Sequence, residues 1–388
     1  MAILDVTHHV ATCIEKKLLS IGVFIDLSKA FDSINHSILL AKLNHYGIRG
    51  IALKWSTSYL NNRYHFVEIN NIKSNNLPML GGVPQGSVLG PVLFNLFIND
   101  VVLSSKVAKF VLYADDTTIL FHHSDIKKLI SQSNHELTLI YKWFMANNLR
   151  INFVKTCFVL FGPKILTNMF KPLLSISDLS ITRVESVKFL GVILTSNLSW
   201  YENSNSISQK VSKNIGIIYK IKHKLSKHAL NILYYSIIYP LYNYCMSIWG
   251  NSPKSHLHLI QKTQNDFIRL LHGIKKFDSV RNLFRLDNIL TIQQIYIYRI
   301  ITLFYKIIIK NIFPFWTSIL SYFLKNSQRG LRKNTQFSIP LCRTKVFKNS
   351  TIITGIIYWN MVPDNVKLIA HFAGFKKQIS ILLEKNYF

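Results

Sequence analysis

The stretch Phe110-Val111-Leu112-Tyr113-Ala114-Asp115-Asp116-Thr117-Thr118-Ile119-Leu120 constrains this chain more than any other. Two runs rich in strand-favouring residues flank a pair of adjacent acids. The short Ala-Asp-Asp centre interrupts them and predicts a tight turn, hence a β-hairpin carrying two carboxylates at its tip. Alternation along a strand sends Asp115 and Asp116 to opposite sides unless the turn splays them. Adjacent carboxylates in an apolar setting repel each other and lose solvation. A cation that accepts hard oxygen ligands, Mg²⁺ first among them, relieves both costs. A plain surface turn is the competing reading, because Asp is common in turns.

The flanking chain narrows the choice. Ile21-Gly22-Val23-Phe24-Ile25-Asp26 is a short apolar run ending in a carboxylate, the pattern of a strand buried on both faces that delivers Asp26 at its C-terminal end. Asp32 is expected as a helix-start acid near the positive end of a helix dipole, with Ile34, Ile38, Leu39 and Leu43 on the apolar side and Gly47 as the stop. A second helix is predicted over Ile51 to Leu60, then two strands around an Asn70-Asn71 turn. Gly81-Gly82-Val83-Pro84-Gln85-Gly86-Ser87 precedes an apolar helix from Val88 to Ile98; its glycines permit close approach of backbone to a ligand. After the hairpin, Ser124 is the expected cap of a long amphipathic helix containing Leu129, Leu137, Ile140 and Phe144. Strands follow over Cys157 to Phe161 and Val187 to Leu194. From about residue 200 helical patterns dominate, over 229–247, 256–273 and 288–312, with a last short helix from Phe375 to Leu383.

Charge separates the possible partners. The chain has 388 residues, 49% of them hydrophobic, which excludes a disordered protein. Its net charge is +28, and residues 203–388 hold 27 basic against 5 acidic residues. Such an excess without single-sign tails points to a polyanion, nucleic acid before an anionic membrane. Four cysteines, Cys13, Cys157, Cys245 and Cys342, stand far apart and predict buried free thiols in a reducing compartment. Ser74 to Asn99 and Ala229 to Pro253 carry no charge but are too polar and too broken to span a bilayer, so both are expected in the core.

Three blocks stand in fixed order: Phe24-Ile25-Asp26-Leu27-Ser28-Lys29-Ala30-Phe31-Asp32, Gly82-Val83-Pro84-Gln85-Gly86 and Tyr113-Ala114-Asp115-Asp116. Together they resemble motifs A, B and C of reverse transcriptases, with the non-LTR (LINE-type) retrotransposon branch the best match. Asn152-x-x-Lys155-Thr156 resembles motif D, and Lys188-Phe189-Leu190-Gly191-Val192 resembles the primer-grip motif E. Pro240-Leu241-Tyr242-Asn243-Tyr244-Cys245, Trp249-Gly250 and Trp359-Asn360-Met361-Val362-Pro363 look like the thumb and C-terminal portions of those proteins, although Asn243 stands where an acid is usual.

The resemblance implies an α+β fold: a palm with a small antiparallel sheet backed by helices, then a mostly helical thumb and C-terminal region. The expected domains are residues 1–198, 199–312 and 313–388. It implies an RNA-directed DNA polymerase using two Mg²⁺ ions, with Mn²⁺ as a substitute, an RNA template, a DNA primer and deoxynucleoside triphosphates. Asp26, Asp115 and Asp116 would hold the metals, and Lys155 would neutralise the leaving pyrophosphate. Leu27, Phe31 and Gln85 would meet the nucleotide, Phe31 lying under its sugar. Pro84, Gly86, Tyr113, Leu190 and Gly191 would line template and primer, and Lys210, Lys213, Lys220 and Lys224 would contact phosphates. Motif A begins only about 20 residues into the chain. The expectation is therefore an N-terminally truncated portion of a polyprotein, lacking upstream fingers and endonuclease, intracellular in nucleus or cytoplasm, and not membrane-bound. A catalytically inactive nucleic-acid-binding remnant of such an element is the alternative.

Overall fold

The computed structural model describes residues 1–163, 169–170, 172–176, 179–324, 336–385 and 387–388. The chain forms two compact units, one of residues 17–185 and the other of residues 3–16 together with 186–388. Helix α1 (Ala2–Glu15) supplies the N-terminal part of the second unit.

The first unit is built on β1 (Leu19–Ile25), buried along its whole length as its unalternating apolar run predicts. Helices α2 (His36–His45) and α3 (Gly50–Leu60) follow. Asn35 caps α2, accepting from the Ile38 amide at 3.1 Å. Asp32 instead ends a 3₁₀ turn over Ala30–Asp32, which corrects its expected place at a helix start. Short strands β2 (Tyr64–His65), β3 (Glu68–Ile69), β4 (Ile72–Lys73) and β5 (Leu77–Pro78) form the expected Asn70-Asn71 hairpin, both asparagines having positive φ (50° and 64°). Residues 74–78 are exposed, so the uncharged stretch from Ser74 to Asn99 enters the core only in its later part, through Val83, Phe94 and Phe97. Those residues lead into and lie on α4 (Leu89–Ile98).

Strands β6 (Lys109–Tyr113) and β7 (Asp116–His123) make the predicted hairpin. Helix α5 (Ile126–Ala146) follows and buries Leu129, Leu137, Ile140 and Phe144. Its cap is Asp125, which accepts from the Lys127 amide at 2.7 Å; Ser124 lies one residue too early. With β8 (Cys157–Phe161), β9 (Leu174–Ile176) and β10 (Leu179–Arg183), the sheet order is β6-β7-β1-β8-β10-β9. The sheet is mixed and not wholly antiparallel as expected. The β9–β10 hairpin docks its second strand on β8, and those two strands run parallel.

In the second unit β11 (Ser186–Phe189) and β12 (Val192–Thr195) form a hairpin. Helices α6 (Tyr201–Ile221), α7 (Lys254–His272), α8 (Ile292–Ile308), α9 (Thr351–Met361) and α10 (Phe372–Glu384) surround a core containing Tyr234, Tyr242, Trp249, Phe267, Phe304 and Trp359. The uncharged stretch from Ala229 to Pro253 contributes to this core because its tyrosines find partners. Tyr242 Oη lies 2.9 Å from Thr263 Oγ1, and Gln264 donates to Tyr234 Oη at 2.8 Å. The helix expected over 229–247 is broken instead by a π-turn at Tyr234–Ile238 and by Cys245, whose φ is +51°. Helix α1 is anchored by the Glu15 carboxylate, which accepts from the Thr344 amide at 2.8 Å and its hydroxyl at 2.6 Å.

None of the four cysteines forms a disulfide; Cys13 is buried and the others are half-buried. Among the described residues no helix is long and apolar enough to cross a membrane.

Candidate active site and nucleic-acid interface

The register of the sheet brings the three acids of the first unit to one end of it. Ile25 pairs with Thr117, so Asp26 leaves β1 beside Asp116, the first residue of β7. Tyr113 pairs with Asp116, which makes Ala114-Asp115 the two-residue turn. Ala114 takes the left-handed conformation (φ +51°) that such a turn demands. Desolvation by the surrounding protein, together with the Asp115 and Asp26 carboxylates, holds the exposed Asp116 above the usual carboxylate range. Sequence alternation alone left open whether these acids would meet; the strand register puts all three at one end of the sheet.

The backbone of Asp26 is fixed from both sides. Its carbonyl accepts from the Asn152 amide at 2.8 Å, and its own amide donates to Thr156 Oγ1 at 3.3 Å. Leu27 bridges to Ile151, and the Ser28 amide donates to the Arg150 carbonyl at 2.8 Å. The segment around Asn152 therefore brackets the first acid and brings exposed Lys155 within 3.9 Å of Asp26 Oδ2. At that distance, with both side chains open to solvent, the pair contributes little to stability. Asn152 and Thr156 were visible only as part of a block; their contacts to Asp26 depend on chain pairing across 126 and 130 residues.

The glycine-rich segment docks onto the turn that follows Asp26. The Gly82 amide donates to the Ile34 carbonyl at 2.7 Å, the Val83 amide donates to the Phe31 carbonyl at 2.9 Å, and the Gly82 carbonyl lies 2.7 Å from His36 Nε2. Gly82 has φ +82°, and a Cβ there would lie 2.8 Å from Asp32 Cα. Gln85 donates to Asp32 Oδ1 at 2.8 Å, a role for Asp32 that the sequence did not disclose. Phe31 is half-buried with its ring 4.7 Å from that of Phe94. Pro84 is half-buried, and Gln85 and Gly86 are exposed. Leu27 is only 7% exposed and packs into the core, so its side chain cannot reach a ligand and only its backbone can. Tyr113 is 59% exposed at the end of β6.

The remaining expected residues lie on the second unit. Leu190 and Gly191 form the two-residue turn between β11 and β12, with φ +44° and +83°. Tyr244 donates its hydroxyl to the Leu190 carbonyl at 2.6 Å, and its ring would lie 3.2 Å from a Cβ on Gly191. A non-glycine residue held at positive φ in Leu190 is costly, and this contact is what offsets it. Lys210, Lys213 and Lys220 share an exposed face of α6, and Lys224 lies in the 3₁₀ turn after it. Exposed Ile217 sits on that face, giving a basic surface with an apolar interruption. Such a surface suits the phosphates and sugars of a nucleic-acid strand.

Comparison with known proteins adds to this geometry. Residues 3–194 match the family described as reverse transcriptase (RNA-dependent DNA polymerase). The RNA-directed DNA polymerase from mobile element jockey of Drosophila melanogaster is 29% identical over 70% of this chain and 30% of its own length. The probable RNA-directed DNA polymerase from transposon BS of the same fly is 26% identical over 74% of this chain and 33% of its own length. The chain thus spans about a third of the length of these curated relatives. Among solved structures, an apo telomerase from Candida Tropicalis overlaps 73% of this chain and 46% of its own at 10% identity, with a TM-score of 0.42, too loose a likeness to carry weight.

Proposed function

We propose that this chain, whose residues 3–194 match the reverse transcriptase family and which resembles the jockey and BS polymerases over 70–74% of its length, acts as a LINE-type, non-LTR reverse transcriptase that extends a DNA primer on an RNA template. The reaction joins the primer 3′ oxygen to the α-phosphorus of a deoxynucleoside triphosphate and breaks the bond to pyrophosphate. One observation carries the reading: the sheet register brings Asp26, Asp115 and Asp116 to the same end of neighbouring strands β1 and β7, where desolvation and the other two carboxylates hold Asp116 above its ordinary range. That hard, underneutralised oxygen set fits Mg²⁺, and Mn²⁺ fits the same ligands. Two such ions, when bound by Asp26, Asp115 and Asp116, supply charge stabilisation for the attacking and leaving oxygens.

The chain's own residues do the positioning. Phe31, fixed against Phe94, offers an aromatic edge to the sugar of the incoming nucleotide. Gln85, oriented by Asp32, presents a polar group beside the base pair, with Pro84 and Gly86 shaping the loop and the Leu27 backbone near the phosphates. Lys155, beside Asp26, offsets charge on the departing pyrophosphate. Tyr113 and the Leu190-Gly191 turn contact the primer, and Lys210, Lys213, Lys220 and Lys224 contact backbone phosphates.

Extension of a DNA primer on an RNA template with Mg²⁺ and deoxynucleoside triphosphates tests the proposal, beside an Asp115→Asn control. Synthesis that falls by several orders of magnitude in the control supports it. Nucleic-acid binding with no Asp115-dependent synthesis would favour the inactive-remnant reading.

A further inference from the structure

Helix α3 sets Ile51, Trp55 and Tyr59 four residues apart, so they follow one line along its surface. Ile51 is 88% exposed and Trp55 56% exposed, whereas Tyr59 is half-buried and packs against the core of the first unit. The Trp55 and Tyr59 rings are stacked, with centroids 5.4 Å apart and planes 12° from parallel. Arg63 continues the line beyond the helix end, its guanidinium 5.4 Å from the centre of the Tyr59 ring. Three planar groups thus form a short stack fixed to the core through its middle member. Among the described residues no ring other than Tyr59 packs on Trp55, and no cation does.

Scattered exposed aromatics are ordinary on a protein surface, but this one is ordered in advance. Tyr59 restrains the Trp55 ring, so less side-chain freedom is lost when a planar ligand stacks there. The two rings already touch, so a further planar group joins the stack at its outer end, on Trp55. The charge around the stack has one sign. Residues 33–67 contain four Lys or Arg and no Asp or Glu. Lys42 is paired with Asp100 at 2.6 Å, but Lys54 and Arg63 are exposed and form no ion pair among the described residues. The first acid after Asp32 is Glu68, 3.8 Å from Lys73, whose ammonium lies 5.1 Å from the centre of the Phe66 ring. An aromatic surface edged by cations that lack carboxylates complements a strand with bases on one side and phosphates on the other. A second copy of this chain fits poorly. A two-fold contact here would set Lys54 and Arg63 against the same cations, with no acid in residues 33–67 to receive them.

We propose that this stack is a platform for single-stranded nucleic acid, one base lying on Trp55 while Lys54 and Arg63 meet the flanking phosphates. The contact is sequence-tolerant, because every base has a π-face. The inference takes its class of partner from the polymerase reading above, but it assigns residues that reading does not use.

The test uses the whole chain, an end-labelled single-stranded RNA, and an end-labelled abasic strand of the same length, with fluorescence anisotropy as the readout. The variants are Trp55→Ala, Trp55→Phe and Lys54→Gln. All three alter exposed side chains, so thermal melts should match the wild type. Trp55→Ala should weaken RNA binding about tenfold, Trp55→Phe should weaken it less, and neither should change affinity for the abasic strand. The salt dependence should be the same in Trp55→Ala as in the wild type, because no phosphate contact is lost. Lys54→Gln should instead reduce the log–log slope by about 0.7. Equal RNA affinity in Trp55→Ala and wild type would overturn the proposal, as would an equal loss on the abasic strand or no RNA binding by the folded wild type. Unchanged RNA affinity with lost binding to phosphatidylserine vesicles would overturn it and assign the face to an anionic membrane. Unchanged RNA affinity with lost self-association would overturn it in favour of a second copy. Primer extension by the same preparations separates the two readings. Trp55-dependent RNA affinity without extension would support the platform and count against the polymerase, whereas extension with Trp55-independent affinity would do the reverse.

Discussion

Gln85 donates its side-chain amide to Oδ1 of Asp32 at 2.8 Å, joining the glycine-rich loop to the turn after Asp26. Both residues are exposed, so the bond contributes little to global stability and acts through the orientation of Gln85. Asp32→Ala and Gln85→Ala should each raise KM for the nucleotide several-fold in primer extension and shift Tm by less than about 2 °C. The double variant should be no worse than either single one, because one interaction is lost in all three. Additive losses would show that the two residues act separately.

Gly82 and Gly86 have nearly the same backbone φ, +82° and +81°, but different surroundings. A Cβ at Gly82 would press on backbone atoms of Phe31 and Asp32 at 2.8 to 2.9 Å, whereas nothing lies within 4 Å of one at Gly86. Gly86→Ala should cost only the conformational term, about 1 kcal/mol. Gly82→Ala should cost roughly 3 kcal/mol or more, because neighbouring backbone cannot yield cheaply. Urea denaturation midpoints measure both; equal costs would contradict the docked loop.

In the second unit Asp287, with a side chain 4% exposed, lies 2.8 Å from Lys227 Nζ and 2.5 Å from His272 Nε2. Burial alone would raise its pKa, but the hydrogen bonds and charges of Lys227 and His272 outweigh that and leave it below the ordinary carboxylate value. A depressed folded pKa means stability that is present above the unfolded value, near 4, and is lost as pH falls through the folded one. Asp287→Asn should lower stability at pH 7 by roughly 2 kcal/mol. It should also flatten the fall in stability below about pH 4, as thermal melts across pH would show. A variant with an unchanged acid limb would contradict this assignment.

Much of the first unit was legible because its signals are local. The β6–β7 hairpin announces itself by two strand-forming runs around Ala114-Asp115, and α5 by apolar residues three and four apart. Asp32 was misplaced, and Ser124 was read as the cap in place of Asp125, because helix starts depend on backbone geometry that neighbouring Asp, Ser and Asn residues can each satisfy. The parallel β8–β10 pair, the brackets on Asp26 from Asn152 and Thr156, and the anchoring of α1 through Glu15 and Thr344 are contacts between residues more than 20 positions apart; no local periodicity encodes them. The exposed residues 74–78 were misjudged because lack of charge reports low polarity, not burial.

The central claim is that Asp26, Asp115 and Asp116 jointly hold divalent metal, and Mn²⁺ binding measured by electron paramagnetic resonance tests it without requiring polymerisation. The full chain, titrated with Mn²⁺ in the presence of a primer–template and a nucleotide, should bind the ion. Asp26→Asn and Asp115→Asn should each weaken that binding tenfold or more, and the loss should persist when thermal melts show both variants folded. Mn²⁺ bound with unchanged affinity by a folded Asp26→Asn, Asp115→Asn double variant would contradict the site.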